Sequence, residues 1–226
     1  MKKIILSLIL LTISIYNIQA QTEEGDSLMT EKLRFFDITA NRIFPINTYK
    51  TNLDRNLWGV GINYLWQTNR EKLDLLGIEF NYAHIGSVSN TFNNASERTG
   101  SNQMSLHFVY RHFPDFYFWK IEPFFEAALG PQIFYTVTSI NFFDDDSNDV
   151  QFEDSDLGLS YGLNAGFTLH VYGQIFFITK FGYFGGTSIT YNVDRSNDQV
   201  VPLDNFRPET TQTNHLRWSF GAAFSF

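Results

Sequence analysis

The segment His215–Phe226 reads HLRWSFGAAFSF and alternates without a break. Leu216, Trp218, Phe220, Ala222, Phe224 and Phe226 are apolar, while His215, Arg217, Ser219, Gly221, Ala223 and Ser225 are polar or small. Successive side chains of a strand point to opposite faces, so one face here is aromatic and the other narrow and hydrophilic. The decisive question is whether the rest of the chain obeys the same rule.

It does, in seven further segments. Asn56–Gln67 is the clearest: Trp58, Val60, Ile62, Tyr64 and Trp66 share a face opposed by Gly59, Gly61 and Asn63. Leu33–Phe44 sets Phe36, Ile38 and Ala40 against Asp37, Thr39 and Asn41, with Arg34 and Arg42 near the ends of the apolar face, where a long side chain can snorkel to a polar boundary. Leu73–Val88, Gln103–Phe113, Tyr117–Ile140, Leu157–Tyr172 and Ile175–Val193 follow the pattern, the last least cleanly. Pro123 and Pro131 fall inside the fifth segment and predict a bulge or local break, because proline removes a ladder donor.

The connections alternate in length. Thr68–Lys72, Pro114-Asp115 and Gly173-Gln174 are short, the last suited to a tight II′ hairpin. Links of about 46–55, 89–102, 141–156 and 194–212 are long. An even strand count puts both chain ends on the short-turn side. Trp58 and Trp66 would stand roughly 19–20 Å apart along the normal of a membrane crossed at ~45°, close to the ~25 Å band between aromatic girdles. These features predict an all-β protein: one eight-stranded antiparallel transmembrane β-barrel with short periplasmic turns and long extracellular loops. A secreted soluble barrel of the lipocalin type is the rival, and it would turn the apolar face inward around a ligand.

Composition agrees. Aromatics make up 17% of the residues, yet mean hydropathy is only −0.18, as expected when apolar residues alternate instead of running together. A net charge of −8 argues against nucleic acid, which needs clustered Lys and Arg. With no cysteine there is no disulfide or thiolate metal site. Lys2 and Lys3, the apolar run Ile4–Ile15 and the small Ala20 read as a cleaved secretory signal peptide over 1–20; the run is shorter than the ~20 residues a spanning helix needs. Residues 21–32 read as a polar periplasmic lead-in, and 33–226 as the barrel domain.

From Leu33 to Phe226 the chain resembles the small eight-stranded outer-membrane β-barrels of the OmpX and OmpA-transmembrane type. The resemblance rests on pattern and on the aromatic terminus, not on a diagnostic motif. It implies location in the outer membrane of a Gram-negative bacterium, contact with outer-membrane lipid and lipopolysaccharide, and biogenesis through the barrel-assembly machinery, with Phe226 as the assembly signal. It implies a family of mixed roles: envelope stability, adhesion, membership of a larger assembly with an unidentified protein partner and, in a few members, lipid modification, so a lipid A-modifying enzyme stands as the lesser alternative.

Four groups of residues invite chemistry. By parity Asp37, Glu79, Glu122 and Glu126 face Arg111, Lys120, Lys180 and Arg217 inside the barrel, with His107, His170 and His215 nearby. So narrow an interior is filled by side chains, and buried charges must pair, so an interior salt-bridge plug is expected ahead of a narrow channel or hydrophobic-ligand conduit. Trp58, Trp66, Trp119 and Trp218 are the expected aromatic belt. In the acidic stretch 144–156, Asp144, Asp146 and Asp149 are weak candidates for a divalent cation; the EF-hand-like opening fails at Asp149 and Ser155, which favours a solvated loop. His84 lies outward near the outer headgroups with Ser87 and Ser89 close in sequence. Lipid A deacylases use a His and a Ser at that depth, but the His-x-Ser spacing is absent and no acid is evidently placed. The expectation is a non-enzymatic protein without cofactor.

Overall fold

In the computed structural model, residues 33–68, 73–92, 95–114, 120–142, 148–194 and 202–226 are described. The segments read as signal peptide and lead-in, together with Trp119, Asp144 and Asp146, lie outside the described residues.

Period-two alternation becomes ten strands: β1 Arg34–Pro45, β2 Leu57–Gln67, β3 Asp74–Thr91, β4 Ala95–His112, β5 Ile121–Phe142, β6 Asn148–Tyr172, β7 Ile175–Gly186, β8 Ser188–Asp194, β9 Phe206–Gln212 and β10 His215–Ser225. Eight of them close into a barrel in the order β1-β10-β7-β6-β5-β4-β3-β2, and β8 and β9 form a separate two-stranded sheet. Every neighbouring pair is antiparallel. The opening segment of the sequence closes the ring, with Ile38 opposite Ala222 and Ala40 opposite Phe220. Gly221 permits this approach, since a Cβ there would sit 1.9 Å from the Ile38 carbonyl oxygen.

Short connections gather at one end of the barrel, the turn end, with the first and last strand residues paired there through Arg34 and Phe226. Gly173 takes φ +56° in the β6–β7 turn, as a II′ hairpin requires at that position. The opposite, loop end departs from the sequence reading. The links at 89–102 and 141–156 are largely strand: β3 runs on to Thr91 and β4 starts at Ala95, while β5 runs on to Phe142 and β6 starts at Asn148. Helix α1, Asn47–Leu53, occupies the first link. The seventh segment does not continue to Val193 as one strand; it breaks at Thr187, and β8 turns inward to pair with β9. Ile189, Tyr191 and Val193, which continue the alternation, face the barrel mouth instead of the outer wall. Pro131 interrupts the β4–β5 ladder opposite Leu106 and His107, but pairing resumes in the same register, and β5 runs through both prolines without a bulge there.

The interior is packed in three levels. At the turn end Phe35, Leu65, Leu75, Phe113 and Phe124 belong to one apolar cluster, which Phe184 of β7, opposite His215, extends up the lumen. At the loop end Tyr49 and Leu53 of α1 and Ile189, Tyr191 and Val193 of β8 pack with Phe134 and Ile43 in a second. The Tyr49 ring meets Tyr191 edge-on at 5.4 Å. Between the clusters lies the polar filling. The expected inner face of Gly, Ser, Asn and charges is therefore only the middle of the lumen; large apolar side chains stopper both ends, those at the turn end lying on inward parity and those at the loop end coming mainly from α1 and β8, where strand parity does not place them inside.

Candidate functional site

The polar filling is a chain of alternating charges contributed by six strands. Arg111 of β4 donates from Nη2 to Asp37 Oδ2 of β1 at 2.7 Å, and from Nε and Nη2 to Glu126 Oε2 of β5 at 2.9 and 2.8 Å. Lys180 of β7 donates to Glu126 Oε1 at 2.5 Å and to Glu79 Oε1 of β3 at 3.4 Å. Arg217 of β10 donates from Nη2 to both Glu79 oxygens, at 2.7 and 3.0 Å. Asn164 Nδ2 adds a bond to Glu126 Oε1 at 3.0 Å. The guanidinium of Arg111 also lies over the Phe124 ring at 4.5 Å, and that of Arg217 over Phe184 at 3.9 Å. Side chains this deeply buried carry charge only if each has an opposite partner, and all six do.

Two of the expected members stand apart. Lys120 is exposed in the turn before β5, and Glu122 is half-buried at the turn end, beside Thr168. A strand's first residues point inward by parity but emerge past the rim, which alternation alone does not reveal. The balance is thus three acids with three bases, not four with four. His107 is buried beside Phe184 at 5.6 Å between ring centroids, and His215 stacks on the same ring at 5.4 Å. His170 lies near the turn end, its Nε2 2.8 Å from the Gly173 carbonyl oxygen.

This interior does not form a conduit. The space beside His107, His215 and Arg217 is a cavity of about 10 Å³, room for about one water. With apolar clusters above and below it, the described residues hold the lumen shut. No group of three or more His, Cys, Asp or Glu side chains stands ready for a metal among the described residues. Asp149, the one cation candidate that is described, is exposed on β6.

Outside, the wall is apolar. Trp58 is 54%, Phe108 71%, Leu163 70% and Trp218 46% exposed, which no soluble barrel of this size sustains over its whole girth. Trp66 stands at the turn end of β2 and Trp58 at its loop end; Trp218 is level with Trp58, and both are cross-strand partners of Arg42. The Arg42 guanidinium lies 4.5 Å over the Trp58 ring. The faces are the reverse of a lipocalin's, so the soluble-carrier alternative fails on geometry.

No protein-family model matches the chain, and no curated protein matches it. Among solved structures it is similar to Ail, the attachment invasion locus protein of Yersinia pestis, crystallised with the heparin analogue sucrose octasulfate, at 12% identity over 87% of this chain and 100% of that one, TM-score 0.40. Neisserial surface protein A aligns at 11% identity over 89% and 98% of the two chains, TM-score 0.43. The outer membrane protein OprG of Pseudomonas aeruginosa aligns at 14% identity over 86% and 96%, TM-score 0.41. Overlaps this loose transfer no residue and no activity. The inverted faces, the ring of eight antiparallel strands and the short-turn, long-loop asymmetry stand on the chain's own geometry, and they make it a transmembrane β-barrel of the small outer-membrane architecture.

Proposed function

We propose that the protein is an integral outer-membrane barrel of a Gram-negative bacterium that binds a partner through the sheet projecting from its loop end. The observation that carries this reading is the length of β6. Its pairing with β7 begins only at Ser160, whereas its pairing with β5 extends out to Asn148. Every residue from Asp149 to Ser155 is exposed, with Phe152 at 77%. Among the described residues this stretch pairs with β5 alone, and a strand edge beyond the rim offers backbone donors and acceptors to an incoming strand. The sealed lumen argues for a role at the surface instead of conduction. The aromatic rows at Trp58, Trp66 and Trp218 suit the two headgroup boundaries, Phe226 suits an assembly signal, and residues 1–20 suit an export signal.

A photo-crosslinking side chain at Gln151, introduced in living cells, tests the surface role. A discrete protein adduct there, and none from the same group at Phe181 on the wall, is the expected result. Adducts confined to lipid at both positions would refute it. Brominated acyl chains should quench the tryptophan fluorescence; absence of quenching would remove the membrane placement.

A further inference from the structure

The β3–β4 hairpin carries one irregularity, between His84 and Gly86, and it changes what the outer wall can do. Ile85 and Gly86 are both buried, so the alternation skips a beat and Ser87 returns to the outward face that His84 occupies. A bulge of this kind gives residues three apart the relationship that residues two apart have in a regular strand. On β4, Asn102 is the cross-strand partner of His84, and Gly100 that of Ser87. His84 Nδ1 lies 2.9 Å from Asn102 Oδ1, and the Tyr82 hydroxyl donates to the same oxygen at 2.7 Å. An amide oxygen can only accept, so Nδ1 carries the proton and Nε2 has the free lone pair. His84 Cε1 and Ser87 Cβ are each 3.8 Å from the point a Gly100 Cβ would occupy; glycine there keeps the space between the two side chains clear. Ser87 Oγ accepts a hydrogen bond from Arg98 Nη2 at 3.2 Å.

A serine, a histidine with its tautomer set, and an amide that sets it are the parts of a nucleophilic hydrolase, arranged on one outward surface beside an exposed arginine. Their position names the substrate. His84 is level with Trp58, at the loop-end aromatic row. Directly toward the turn end, on the same face, an apolar groove of about 210 Å³ is lined by Phe80, Met104, Leu106, Pro131, Ile133 and Leu157. Met104 is the next outward residue after Asn102 on β4, so the groove starts where the triad stops. A hydrocarbon chain lying in it would bring a carbonyl near its head to the level of Ser87.

We propose that Ser87, His84 and Asn102 form a catalytic site on the lipid-facing wall that cleaves a fatty acyl ester of an outer-leaflet lipid. His84 Nε2 takes the proton of Ser87 Oγ as that oxygen attacks the ester carbonyl carbon. The carbonyl electron pair moves to oxygen, beside the Arg98 guanidinium. Collapse of the tetrahedral intermediate breaks the acyl C–O bond, and His84 returns the proton to the departing alcohol. Water, deprotonated by His84 in turn, attacks the acyl-serine and releases the fatty acid and the free Ser87 hydroxyl. Asn102 is a positioning residue and touches no substrate. The same ester chemistry occurs in glycerophospholipids and in acylated glucosamine lipids.

Refolded full-length protein in mixed micelles, with a phosphatidylethanolamine in one arm and purified lipid A in the other, tests this by mass spectrometry of released fatty acid. Release in at least one arm is expected, and the productive arm identifies the source. Ser87→Ala and His84→Ala should each lower it roughly 10³-fold or more. Ser89→Ala, on the same face two residues on, should leave it unchanged. Asn102→Ala should lower kcat with little effect on KM, and Asn102→Asp should restore it. A long-chain fluorophosphonate should label the Ser87 peptide of the wild type and not of His84→Ala. Heat-modified electrophoretic mobility verifies that each variant is folded. Release from neither arm by folded wild type, or labelling and release that survive Ser87→Ala, overturns the proposal.

Discussion

Glu126→Ala is the sharpest probe of the interior. Its carboxylate accepts four hydrogen bonds: two from Arg111, one from Lys180 and one from Asn164. Removing it leaves Arg111 with Asp37 alone and Lys180 with only the 3.4 Å contact to Glu79, so three cations share two anions. Breaking a buried pair by deleting one partner destabilises by about 3–5 kcal/mol, because the remaining charge stays desolvated. At ~1.4 kcal/mol per decade, that is roughly a 10²–10⁴-fold change in the folding equilibrium. Asp37→Asn should do less, since Asp37 accepts a single described hydrogen bond and its Oδ1 has no partner. Glu126→Ala with Lys180→Met should recover part of the loss, since the double change removes one charge of each sign. Reversible urea unfolding in lipid vesicles, followed by tryptophan fluorescence, measures all three. A loss below about 1 kcal/mol for Glu126→Ala would be the behaviour of a hydrated surface pair and would refute a dry, mutually dependent network.

The remaining predictions concern the seam, the stopper and the projecting sheet. Gly221→Val should prevent closure, because its Cβ would stand 1.9 Å from the Ile38 carbonyl oxygen; the heat-modifiable band of the folded barrel should vanish, whereas Gly173→Asn, in a turn with no atom within 4 Å of a Cβ, should retain it. Tyr191→Ala removes a buried ring from the loop-end cluster, a change worth about 3–5 kcal/mol in a packed core. Proteolysis in the stretch from Thr187 to Asn214 should accelerate sharply while the barrel strands stay protected. Burial, followed by repulsion from Glu153 and Asp204, raises the Glu97 carboxyl above its ordinary value. The folded state therefore binds that proton more tightly than the unfolded state, so its contribution favours folding at low pH and declines as pH rises through the folded value. Amide exchange in the outer part of β4 should be slower near pH 4 than at neutrality by more in the wild type than in Glu97→Gln.

Alternation in the sequence was enough to find all eight barrel strands, their inward and outward faces and the end at which the short turns lie, because side-chain period and turn chemistry are local properties. Trp58, Trp66 and Trp218 stand on the outer face for that reason. Parity likewise brought Asp37, Glu79, Arg111, Glu126, Lys180 and Arg217 to the interior, but not the pairing among them, which depends on strand tilt and on the height at which each side chain meets its neighbours. Lys120 and Glu122 share the inward parity, yet they lie in and beside the turn, where the wall ends.

Three features were beyond reach of any local pattern. The inward fold of β8 reads as continued alternation because Ile189, Tyr191 and Val193 keep period two; only the presence of Tyr49, Leu53 and Phe134 at the barrel mouth makes burial there favourable over a place on the wall. The outward reach of β3–β6 runs through polar, charged residues with weak strand propensity and is held by ladders to neighbouring strands. The third is the bulge at Ile85. In sequence, His84 and Ser87 belong to opposite faces; a single unpaired residue, tolerated because β3 is locked in register with β4 on either side of it, puts both on the same face with Asn102. Face membership before a bulge is a matter of counting, and after it a matter of where the sheet accepts the extra residue, which only the assembled strands decide.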